Sequence, residues 1–172
     1  MLTFKIIKDT DMELKITEGD IVDLLVDGST IFTGYVFTLS HDKDAFMSIT
    51  CYDLLRYFKN KYTYCFEKKK ASAIVKALCE DFKMPIGTIE DTGYVIPAIV
   101  EENVSALDIC LAAIDETFIN TGKLFVLYAE NGKICLRNSE NMTVQQVIDG
   151  GAAQNFDYKS SIDDNVYNSV VL

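Results

Sequence analysis

At 172 residues, 49% hydrophobic and 24% charged, the chain has the composition of a globular protein and the length to bury one full core or two small ones. Disorder is excluded for most of it. A formal charge of -10 at pH 7 argues against nucleic acid as a partner, since a duplex-binding surface needs positive charge to displace counterions from phosphates.

The start, Met1-Leu2-Thr3-Phe4-Lys5, moves directly into an alternating strand and lacks the regions of a secretion signal. No apolar run approaches the roughly 18 to 20 residues of a membrane span, so no membrane is expected. Met12, Leu14 and Ile16 alternate with Glu13, Lys15 and Thr17, the period of two that sets one strand face on a core. Ile21 to Val26 reads as a strand ending in the tight-turn pair Asp27-Gly28. A long strand follows from about Thr30 to Leu39, and Gly34 in its interior predicts a bulge or a bend. After the charged turn His41-Asp42-Lys43-Asp44, the residues Met47, Ile49 and Cys51 face inward. Several short strands separated by turns predict a barrel or a sandwich.

Tyr52, Tyr57, Phe58, Tyr62, Tyr64 and Phe66 form an aromatic-rich stretch. Such rings serve either a core or a partner surface. Lys59, Lys61 and Lys68 to Lys70 read as a solvated basic face.

The middle changes period. Ala71, Ile74, Val75, Leu78, Cys79 and Phe82 have the spacing of an amphipathic helix ended by Pro85 and Gly87. Tyr94 to Val100 carries Pro97 and is at best an edge strand. A second helix is predicted from Ser105, where Ser105-Ala106-Leu107-Asp108 resembles a capping box, to Thr121-Gly122. Its apolar stripe is read as Leu107, Cys110, Leu111, Ile114 and Phe118. Leu124 to Tyr128 and Ile134 to Arg137 flank Asn131-Gly132, the strongest short-range hairpin signal in the chain. Gly150 to Ala153 reads as a flexible turn, followed by strands at Asn155 to Ser161 and Val166 to Leu172. The chain stops inside the apolar run Val170-Val171-Leu172, as a piece of something longer does.

These elements predict an α+β fold in three parts. Residues 1–66 are the first part of an antiparallel β-barrel, and 67–141 an inserted domain of two helices and a β-hairpin. Residues 142–172 are strands returning to the barrel.

Chemistry is scarce by comparison. His41, the one histidine, lies in a charged turn that offers neither burial nor fixed orientation to a general base. Cys51, Cys65, Cys79, Cys110 and Cys135 are far apart, with no Cys-x-x-Cys pair, and read as free thiols in a reducing compartment. The acid pairs Glu90-Asp91, Glu101-Glu102 and Asp163-Asp164 could serve a glycosidase only if two acids faced one another across a cleft, one with a raised pKa. Neither a glycine-rich phosphate loop, an HExxH motif nor a nucleophile elbow occurs in the sequence. No catalytic residue, cofactor or metal is expected, and the chain is read as not an enzyme.

Five motifs in order carry a resemblance. They are Gly19-Asp20 before a strand, Ile31-Phe32-Thr33-Gly34, the run Ile49 to Tyr57, Thr121-Gly122-Lys123-Leu124, and Ser161-Ile162-Asp163-Asp164 followed by Tyr167-Asn168. Together they resemble the XkdQ/YqbQ family of PBSX-type prophage tail proteins, which is similar to the late control protein D group and the T-even baseplate hub. The resemblance implies a hub-type barrel and a structural role, adapting the tail tube to the central spike. The implied partners are the tube protein, the spike protein and other baseplate proteins. The implied location is the bacterial cytoplasm during assembly, then the tail of a phage or a headless bacteriocin particle.

The full-length hub is implied to be a homotrimer. This chain is shorter than the family pattern, so a monomer or weak association is expected of it. The expected partner surface is Tyr52, Arg56, Tyr57, Phe58, Tyr62, Tyr64 and His41. The alternative function is a tail-associated peptidoglycan hydrolase using a carboxylate pair, and a third is a cytoplasmic adaptor unrelated to phage.

Overall fold

The alternation near the amino end produces a four-stranded antiparallel sheet in the computed structural model, which describes residues 1–7, 15–41 and 46–143. Its strands are β1 (Leu2–Ile7), β2 (Ile21–Val26), β3 (Ser29–His41) and β4 (Phe46–Tyr52), in the Greek-key order β1-β4-β3-β2. Val36, Met47, Ile49 and Cys51 are buried on its inner face, with Leu2, Phe4, Ile6, Val22, Phe32 and Leu39 packed around them. Leu2 and Phe4 of β1 line the same cleft as Val22 and Leu24 of β2. The sheet therefore curls into a half-barrel whose two edge strands face a common space.

Gly34 does not mark the bend that its position predicts. It pairs regularly with Val22, and the extra residues on β3 are Ile31, opposite the Leu24/Leu25 step, and Phe37, between Val36↔Cys51 and Thr38↔Thr50. A Cβ at Gly34 would lie 2.5 Å from the Phe32 ring and 2.6 Å from the Tyr52 carbonyl oxygen. The position is glycine because a ring and a backbone oxygen fill the space a side chain needs. The expected strand over Met12, Leu14 and Ile16 lies mostly outside the described residues, though Ile16 packs on the core of the sheet.

After the sheet, the 3-10 helix Leu54–Lys59 leads into β5 (Lys61–Lys69), α1 (Ala71–Asp81), β6 (Ile86–Ile89), β7 (Ile96–Ser105), α2 (Ala106–Thr121), β8 (Phe125–Glu130) and β9 (Lys133–Asn138). β5 pairs antiparallel with β7, while β9 lies between β8, antiparallel, and β6, parallel. Both helices pack with these strands around Phe58, Ile74, Leu78, Ile109, Ile134 and Leu136, all fully buried. The fold is mixed α+β, as the periodicities predict.

Two strands were not anticipated. β5 was legible in the alternation of Tyr62, Tyr64 and Phe66 with Thr63, Cys65 and Glu67, and because it pairs with β7, residues from Lys61 onward go with the helices. β6 is only four residues long and joins through one parallel edge, which leaves almost no periodic signal. Met1–Met142 form one compact unit, and the strands expected at 155–161 and 166–172 lie outside the described residues.

Turn and cap chemistry match the sequence closely. Asp27 and Gly28 (φ 49° and 77°), and Asn131 and Gly132 (φ 49° and 68°), are left-handed pairs, the geometry a two-residue hairpin of the native twist requires. At α2, the Ser105 hydroxyl accepts from the Asp108 amide at 3.1 Å and donates to the Asp108 carboxylate at 2.6 Å, an N-cap in which, unlike the expected capping box, both bonds run through the hydroxyl.

The stripe read for α2 is rotated. The helix buries Ala106, Ile109, Cys110, Ala113, Ile114 and Thr117, while Leu111 and Phe118 are exposed. Apolar residues occur around most of the helix, so their spacing does not single out a face. The small side chains Ala106, Ala113 and Thr117 let one side approach its neighbours closely, and the Thr117 hydroxyl stays satisfied by donating to the Ala113 carbonyl at 2.9 Å.

Candidate partner surface

On the outer face of the half-barrel, the extra residue at Phe37 leaves Val36 and Leu39 both inward and the Phe37 ring outward, beside Tyr52 at the end of β4. The Asp53 carboxylate accepts from the Leu55 amide at 3.0 Å and starts the 3-10 helix, which presents Arg56 and Tyr57 to the same place. Phe37 lies 5.4 Å from Tyr52, edge to face, and 5.5 Å from Tyr57, which in turn meets Tyr35 at 5.9 Å. The Arg56 guanidinium lies 5.3 Å from the centre of the Tyr52 ring and 5.9 Å from that of Phe37. An exposed arginine held over two aromatic faces combines the residue types that anchor protein interfaces. Tyr35 and Phe37 lie outside the expected set, although both flank Val36 on one strand and so share the side of Tyr52.

The other expected members are elsewhere. Phe58 is wholly buried, its ring 5.3 Å from Phe82, because the 3-10 helix turns Leu54 and Phe58 inward as it turns Arg56 outward. It is a core residue and offers a partner nothing. Tyr62 and Tyr64 stand on β5, where Tyr62 meets Phe82 at 4.9 Å and Tyr64 stacks on Phe66 at 5.5 Å. The Tyr64 hydroxyl donates to Asp81 at 3.1 Å. Partial burial, followed by this contact, pushes its pKa up to about 12. His41 is exposed opposite Met47, at the far end of the β3–β4 ladder from the Tyr35↔Tyr52 pair.

The acid pair Glu90-Asp91 has a mechanical arrangement. Glu90 accepts from the Asn138 amide at 2.9 Å, the Asn141 side chain at 3.0 Å and the Arg137 guanidinium at 3.4 Å, fastening the chain beyond β6 to the end of β9. Asp91 accepts from Lys70 at 2.7 Å and from the Gly93 amide at 2.9 Å. Next in line, Thr92 and Ser72 exchange amide-to-hydroxyl bonds of 3.3 and 3.5 Å, so Thr92 supplies the cap that Lys70, at the start of α1, does not. The Asn138 amide chiefly, and the Lys70 ammonium chiefly, hold Glu90 and Asp91 below their usual carboxylate values. That is the opposite of what a general acid needs. Asp163-Asp164 lies outside the described residues.

Cys51, Cys79, Cys110 and Cys135 are buried and Cys65 is exposed, all as free thiols. Burial pushes Cys110 up to about 12 and Cys79 up to about 11. Among the described residues no three His, Cys, Asp or Glu side chains converge on a point, and no helix is long and apolar enough to cross a membrane.

The YqbQ-like family matches the chain over residues 1–172. This protein belongs to that family. It is 34% identical over 168 residues to YqbQ of Bacillus subtilis (strain 168), covering 95% of this chain and 51% of the relative. It is 33% identical over 152 residues to the phage-like element PBSX protein XkdQ of the same strain, covering 87% and 46%. The YqbQ-like chain thus spans about half the length of these curated relatives. Its fold is similar to that of the 43 kDa tail protein of prophage MuSo2 from Shewanella oneidensis, with a TM-score of 0.57 and 17% identity, over 78% of this chain and 42% of that one. At that identity the likeness is one of fold.

Proposed function

We propose that this YqbQ-like chain is a structural part of a phage or phage-like tail, the first section of a baseplate hub that adapts the tail tube to the central spike. The observation that carries the reading is membership of a family with a phage-like element protein, in a chain whose fold over 78% of its length is similar to that of a prophage tail protein. The cluster of Phe37, Tyr52, Arg56 and Tyr57 is the surface that meets a neighbouring tail protein. Its role is to fit and transmit load, with no chemical step. Assembly takes place in the bacterial cytoplasm and ends in the particle. The full-length hub is a homotrimer, and the present chain alone is a monomer.

Support against the hydrolase comes from Glu90 and Asp91, whose carboxylates are tied to backbone and lysine and held ionised. The test replaces Tyr52 with Ala and Arg56 with Glu in the full-length gene product and scores tails by electron microscopy. Tails should be lost or broken at the hub while the protein still folds. Normal tails in a deletion of the gene, or peptidoglycan turnover that Glu90→Gln abolishes, would overturn the reading.

A further inference from the structure

The side of α2 opposite its buried face carries Asp108, Leu111, Ala112, Asp115, Phe118 and Ile119, which 3.6 residues per turn bring together. Leu111, Phe118 and Ile119 are 43%, 46% and 77% exposed. The helix has no lysine or arginine; Asp108 accepts from the Ser105 hydroxyl, and among the described residues neither it nor Asp115 has a salt-bridge partner, so three large apolar side chains are edged by negative charge.

We propose that this face docks a partner protein that presents an apolar centre edged by lysine or arginine. Charge selects that occupant over the two nearest alternatives. Residues 144–172 hold Asp149, Asp157, Asp163 and Asp164 against the single Lys159, and a second copy of the chain brings a further net charge of -10. Residues 144–172 bring more of the charge already present, and a second copy is repelled in net charge, its one lysine-rich face at Lys59, Lys61 and Lys68 to Lys70 notwithstanding, whereas a basic rim meets Asp108 and Asp115 with opposite charge while Leu111, Phe118 and Ile119 leave water. The face is distinct from the Arg56 cluster and does not depend on the chain working in a tail.

The test places a photo-crosslinking phenylalanine analogue at Ile119 of the full-length gene product in its native cells, with a second at exposed Glu80 of α1 as control. The expected result is one adduct from position 119 and not from 80, whose contact peptide is apolar and rich in lysine or arginine. Leu111→Ser with Asp115→Lys should lower its yield by about tenfold or more, as loss of an interface anchor does. Asp115→Lys alone should lower it less and make it less sensitive to salt. No adduct overturns the proposal, as does an adduct to a second copy, to residues 144–172, or to an acidic peptide. A basic partner encoded outside any tail gene cluster leaves the docking face standing and removes the tail reading alone.

Discussion

The two cores of the chain are closed to very different degrees. Among the described residues, seventeen buried ones form the core around α1 and α2, against four under the curled sheet. That sheet also leaves Ile21, Leu25 and Val26 of β2 and Ile31 of β3 more than half exposed along one edge. Apolar side chains on an open edge strand are where further pairing or packing occurs. Among the described residues, then, the helical part holds the fuller core, and the sheet keeps an apolar edge open.

The largest test of this contrast is Phe58→Ala. Emptying a fully buried aromatic site should cost about 3–5 kcal/mol of stability in urea unfolding. A loss below about 1 kcal/mol would show that the helical core does not depend on it. Gly34→Ala acts on the other side of the comparison, because the added Cβ meets the Phe32 ring and the Tyr52 carbonyl, and should cost about 1–3 kcal/mol. Hydrogen exchange should then show β3 and β4 losing protection before α2. Equal loss in both regions would mean that the two cores open as one body.

Ser105→Ala removes the cap of α2 and should cost about 1 kcal/mol, read as a shift in the urea midpoint at unchanged slope. The finest test is pH. Because the folded-state pKa of Glu90 lies below its ordinary 4.5, its contribution to stability is present above pH 4.5 and is lost as pH falls through the folded value. In Glu90→Gln that acid-side loss should be smaller, measured as the difference in urea midpoints at neutral and acid pH.

Legibility followed local physics. The turns at Asp27-Gly28 and Asn131-Gly132, the Ser105 cap and both helices were readable because each depends on residues within one turn of chain. β6 and the buried side of α2 were not, because a parallel edge with β9 and the approach of Ala113 to its neighbours are decided by distant segments. The aromatic cluster around Arg56 was half readable. Tyr52, Arg56 and Tyr57 come together through one short helix, while separating them from Phe58, Tyr62, Tyr64 and His41 required knowing where that helix turns each ring.

Cys65 stands opposite Val100 on the β5–β7 ribbon and is the single solvent-facing member of five free thiols. A maleimide should therefore attach once per folded molecule and five times per denatured one. Any fluorophore or spin label can be placed at a known position without redesigning the chain, and the number of attached groups reports directly how far either interior has come apart.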